Sequence, residues 1–172
     1  RWMAGSNYSL LLDEFPVRVP LSLAVNLDIP SGESWMVAVD EWLARPLGLL
    51  HFISAPQKSR VRLEQVSEQT PDLLPPGMRE KDCLQRSWFL DLKTPTESLH
   101  LDLVFDYLQQ SSQRHELAGL DESAGLQVWR MSSGHWEPLP TRHNRFAITL
   151  SVSGLELQPG QVSRFVACGL RE

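Results

Sequence analysis

The sequence predicts an antiparallel two-sheet β-sandwich of about nine or ten strands, and three observations carry that expectation. Apolar and polar residues alternate over long stretches, turn-forming residues recur between those stretches, and no long amphipathic helix intervenes. A parallel α/β sheet would require helical crossovers between its strands.

The first alternating run is Val17 to Ile29, in which every odd position is a branched aliphatic. A helix would scatter those residues around its axis, whereas a strand places them on one face. Pro20 lacks an N–H and points to an edge position or a bend, and Pro30-Ser31-Gly32 ends the run. Shorter strands are expected at Trp35 to Val39, Leu49 to Ser54 and Arg60 to Val66. Asp40 to Arg45 is compatible with one helical turn, with Asp40 as its N-cap and Pro46 beyond it.

Two further runs, Leu84 to Leu92 and Leu99 to Tyr107, are separated by Thr94-Pro95-Thr96 and are expected to pair as a hairpin. The first carries Leu84, Trp88, Leu90 and Leu92 on one face. Leu126 to Met131 and His135 to Leu139 flank Ser132-Ser133-Gly134, a second hairpin signal. Arg145 to Val152 alternates cleanly, and Gln158-Pro159-Gly160 turns the chain into a last strand from Val162 to Leu170. The segments Ser67 to Asp82 and Gln109 to Gly125 are rich in Pro, Ser and charge and read as two long loops. The stretch from Leu126 to Leu170 resembles the terminal strands of immunoglobulin-like sandwiches in style. A Greek-key barrel of the oligonucleotide-binding type is the alternative architecture.

The 172 residues read as one soluble domain spanning 1–172, a size that buries a substantial core, and as a piece of a longer chain running beyond Arg1 or Glu172. No apolar run is long enough for a membrane span, and Arg1 to Ser6 lack the apolar stretch of a signal peptide. A net charge of −5 argues against a nucleic-acid partner, whose phosphates demand Lys and Arg. Cys83 and Cys168 are too few for a disulfide framework and form no zinc pattern; they are expected to be free, buried thiols, the alternative being a single bridge between them in an oxidising compartment. Asn7-Tyr8-Ser9 matches a glycosylation sequon, and the compartment stays open.

Chemistry-bearing patterns are sparse. There is no GxSxG, GxGxxG or GxxxxGK[ST], and Ser133-Gly134 sits where a hairpin turn is expected. His100 and Asp102 share a strand face with Asp106 further along, which reads as the wet side of a strand rather than a ligand set. Asp40-Glu41 and Asp121-Glu122 are adjacent and so point apart on a regular element. No catalytic residue, metal or cofactor is therefore assigned.

The expected function is a non-catalytic interaction or assembly module whose partner is another protein or another domain of the same chain. The alternative is a ligand-binding module. Trp129 and Trp136, partners across the second hairpin, offer aromatic faces to a carbohydrate. Lys58, Arg60 and Arg62 alternate along a strand, and with Arg142-His143-Asn144-Arg145 they offer cations to an anionic polymer. A hydrolase with a site invisible in the sequence is the third possibility.

Overall fold

The computed structural model describes residues 22–29, 31–40, 46–55, 58–66, 74–93, 97–106, 120 and 123–170, with the backbone alone described in parts of the first strands. Eleven strands lie within these residues: β1 (Ser22–Ile29), β2 (Gly32–Asp40), β3 (Pro46–Ala55), β4 (Ser59–Val66), β5 (Cys83–Leu92), β6 (Leu99–Asp106), β7 (Leu126–Ser132), β8 (His135–Pro138), β9 (Arg142–Asn144), β10 (Thr149–Leu157) and β11 (Val162–Gly169). They form a six-stranded sheet in the order β1-β4-β5-β11-β7-β8 and a five-stranded sheet in the order β2-β3-β6-β10-β9. Every pairing is antiparallel.

Each sheet keeps its own edge strands, β1 and β8 in one and β2 and β9 in the other. The molecule is a sandwich and not a closed barrel, so the Greek-key barrel alternative is not adopted.

β1 ends at Ile29 as the alternation predicts, with Leu27 partly and Ile29 fully buried. Its edge position fits the chain arriving through Pro20, although Val17 to Leu21 lie outside the described residues, as do the Asp40 to Arg45 turn beyond Asp40, Trp42, and the sequon at Asn7. On β5 the expected face is the core: Leu84, Trp88, Leu90 and Leu92 are all buried.

The expected hairpin between β5 and β6 does not form. β5 pairs with β4 and β11, while β6 pairs with β3 and β10 in the opposite sheet. Both strands carry one strongly apolar face, and the two faces meet across the sandwich instead of lying side by side. The Trp88 and Phe105 rings stack at 4.3 Å between centroids, and Phe165 of β11 approaches Phe105 at 5.8 Å.

The hairpin between β7 and β8 forms as expected around Ser133-Gly134, whose φ values of 50° and 79° define a turn with both central residues left-handed. The last two strands depart from simple alternation. β10 contains a bulge between Val152 and Leu155, where Gly154 adopts φ 72° and its N–H donates to Asp102 Oδ1 at 2.8 Å. The extra residue switches the buried set from Leu150 and Val152 to Leu155 and Leu157.

Central β11 is buried on both sides. Phe165 and Ala167 join the main core, while Val166 and Cys168 join a second cluster with Cys83 on the outer face of the larger sheet. The described part of the Ser67 to Asp82 loop covers that face, since Leu74 and Met78 pack on the second cluster. Arg79 grips Asp82 through its backbone N–H at 2.9 Å and its guanidinium at 3.1 and 3.2 Å, which closes the segment onto the start of β5.

The cysteines are not free thiols. Cys83 and Cys168 face each other in the β5–β11 ladder, with Cα atoms 3.9 Å apart, and form a disulfide. The expectation failed because a separation of 85 residues gives no local hint that the two positions share a register.

In the chain-entropy account, a crosslink across so long a loop stabilises by about 4.5 kcal/mol. We expect no free thiol in denatured, unreduced protein. Urea melts of the Cys83→Ser/Cys168→Ser variant should lose several kcal/mol; two titratable thiols without reductant would contradict the bridge.

Candidate functional site

The structure places four of the five candidate ligand residues on the outer face of the larger sheet, in two separate groups, with Lys58 exposed just before β4. Trp129 lies opposite Pro138 and Trp136 opposite Met131, so the indoles are diagonal neighbours rather than direct partners. The two-residue turn sets this register by pairing Ser132 with His135. Both indoles are half-buried against the disulfide cluster, alongside Leu74 and Met78. The Trp129 indole N–H is buried and has no acceptor among the described residues. A platform for sugar rings presents an open aromatic face, and this pair is largely occupied with packing.

Lys58, Arg60 and Arg62 are exposed at the other end of the same sheet. Register sets Asp28 against Arg60 and Asp91 against Arg62. Arg60 Nε donates to Asp28 Oδ1 at 2.9 Å, Arg62 reaches Glu64 at 3.3 Å, and Lys93 pairs with Asp91. The face is therefore a lattice of alternating charge, with less pull on a polyanion than three aligned cations suggest. The Arg60 hydrogen bond and charge hold the Asp28 carboxyl below its ordinary value.

Two arginines without a sequence signal prove to be buried. Arg130 projects inward from β7, donating to Ser163 Oγ at 3.2 Å and to the Glu156 carbonyl of β10 at 2.8 Å, and so ties one sheet to the other. Arg164 lies on the outer face of β11, where Nη2 donates to Ser87 Oγ at 3.1 Å and the guanidinium sits 5.3 Å from the Phe89 ring centre. Burial lowers its pKa from the usual arginine value. Among the described residues no cluster of His, Cys, Asp and Glu could hold a metal ion. His100 is exposed, and Asp102 is spent on the Gly154 bulge.

The feature that sequence reading missed is the tip of the β9–β10 hairpin. Arg145 to Val152 alternates as one strand in the sequence, yet β10 begins only at Thr149 and Arg145 to Ile148 form a turn. Asn144 causes the break: its Oδ1 accepts from the N–H groups of Phe146 and Ala147 at 3.1 and 3.0 Å. Ile148 then adopts φ 57°, a left-handed conformation that a β-branched residue strongly resists, while its side chain packs on the core. Phe146 is consequently left 101% exposed, the most exposed large apolar side chain among the described residues. An Asn two residues before an aromatic within a basic turn was the available clue.

The root of the hairpin is equally well held. The Thr141 hydroxyl accepts from Val128 N–H at 2.9 Å and donates to the Leu139 carbonyl at 2.8 Å, and Leu139 N–H donates to the Val128 carbonyl at 2.8 Å. His143 Nδ1 accepts from Leu126 N–H at 3.3 Å. The crossover from β8 to β9 is thus fastened to β7, and the tip projects from a fixed base.

No protein-family model matches the chain, and no curated protein or solved structure is significantly similar to it.

The Asp28–Arg60 pair generates a prediction with a definite sign. A carboxyl depressed in the folded state adds stability above its unfolded pKa of about 3.9 and loses it as pH falls through the folded value. Arg60→Ala should raise the Asp28 pKa in an NMR titration while leaving the neutral-pH melting temperature nearly unchanged, as expected for an exposed pair. An unmoved Asp28 titration would contradict the pairing.

Proposed function

We propose that this chain is a non-catalytic contact module that binds another protein, either a separate chain or another part of a longer one, through the β9–β10 hairpin. The observation that carries the reading is Phe146, fully exposed on a turn that Asn144 and the strained Ile148 hold in place. Observed backbone strain of this kind concentrates at functional positions. An exposed aromatic on a backbone turn held by hydrogen bonds has the attributes of an interface anchor, because little backbone freedom is lost on docking. Burying the Phe146 ring against a partner would contribute roughly 2–3 kcal/mol.

The disulfide adds a condition. Such bridges persist in oxidising compartments, so the partner is to be sought there.

The test is site-specific photo-crosslinking with benzoylphenylalanine at position 146, and at position 28 on the opposite edge as control. The partner captured from 146 alone is then titrated against Phe146→Ala, with a loss of about 30-fold expected, equivalent to about 2 kcal/mol. Undiminished affinity would overturn the reading. Loss confined to Trp129→Ala/Trp136→Ala with a sugar, or to Arg60→Ala/Arg62→Ala with an anionic polymer, would transfer the function to those surfaces.

A further inference from the structure

We infer that the hairpin recognises an acidic protein segment, docking a carboxylate beside Arg142 while Phe146 enters an adjoining apolar pocket. This rests on the reading of the hairpin as the contact surface and names the chemistry of its partner.

The outward face of β9 and β10 sets Arg142 directly opposite Ser151, with Ser153 two residues further along the same strand. Together with Pro140 and Thr141 they line an open recess of about 510 Å³. Arg142 contributes up to five N–H donors in a planar fork, and the two serines contribute hydroxyls. The Thr141 hydroxyl is already committed to Val128 and Leu139. Among the described residues that line the recess Arg142 is the one charged side chain; Asp102 of the adjacent β6 lies beyond Ser153, with its Oδ1 taken by the Gly154 N–H. The Arg142 guanidinium is complementary to a carboxylate of an acidic partner.

Magnitudes select the class of anion. One guanidinium flanked by two hydroxyls suits a singly charged, planar carboxylate, which it can take bidentately. A phosphorylated residue carries about −1.5 to −2 charges and is usually met by a cluster of arginines. A bilayer is also disfavoured, because a single phenylalanine with about 1 kcal/mol per nearby cation falls short of stable anchoring. Arg142 and Phe146 are four residues apart in the chain, so their Cα atoms lie within about 13 Å of each other.

The probe is a capped peptide of alternating leucine and glutamate, compared with its glutamine and phosphoserine counterparts and with phosphatidylserine vesicles, read by NMR shifts. The glutamate peptide should move the amides of Arg142, Ser151, Ser153 and Phe146, and the glutamine peptide should bind at least about tenfold more weakly. Arg142→Gln and Arg142→Glu should weaken binding progressively, with unchanged spectra elsewhere confirming the fold. Equal binding of the glutamate and glutamine peptides, preference for phosphoserine or vesicles, or indifference to both Arg142 variants would each overturn the inference. If Phe146→Ala alone weakens the peptide, the contact hairpin stands and its acidic specificity falls. Absence of any hairpin shift overturns the inference, and the photo-crosslink at position 146 then judges the contact reading separately.

Discussion

The structure depends on one contact, the stacking of Trp88 in the larger sheet on Phe105 in the smaller. Both rings are fully buried, and together with Phe165 they occupy the centre of the shared core. Burial of large aromatics is worth several kcal/mol apiece, far more than any surface ion pair in the molecule. The contact requires β5 and β6 to lie in opposite sheets, so the chain must cross the sandwich between them. From that crossing follow the neighbours that β10 and β11 acquire and the edge on which β9 is left.

Around this centre the polar groups act as fasteners. Arg130 links β7 to the β10 carbonyl of Glu156. The Cys83–Cys168 bridge staples the two central strands beneath Leu74, Met78, Trp129 and Trp136. Thr141 and His143 moor the β8–β9 crossover to β7. The result is a hairpin whose tip is strained and exposed while its root is hydrogen-bonded to β7. The proposed contact role rests on that arrangement.

What could be read from the sequence was local. The end of β1, the inward face of β5 and the Ser133-Gly134 turn each depend on residues within one strand or one turn, and each was foreseen. Three outcomes were not, and two of them depend on residues distant in the chain. The apolar faces of β5 and β6 are legible, but alternation does not say whether two such faces lie side by side or across a core. The cysteine register is likewise set by the β5–β11 pairing. Phe146 and Ile148 continue an alternating pattern that the Asn144 side chain interrupts, so one polar atom takes a large aromatic out of the expected strand and leaves it exposed. Of the residues singled out for binding, Arg142 lay within the basic turn already noticed. Trp129 and Trp136 are half-taken by packing, and Arg60 and Arg62 by acidic neighbours.

The most direct test of this account is a set of through-space NMR contacts at the centre of the sandwich. Strong side-chain Overhauser effects between the Trp88 indole and the Phe105 ring, with no backbone Hα contacts between β5 and β6, are the predicted result. A ladder of Hα contacts joining Leu84 to Leu92 with Leu99 to Asp106 would place the two strands in one sheet. It would contradict the sandwich, and with it the position of the hairpin that the sandwich presents.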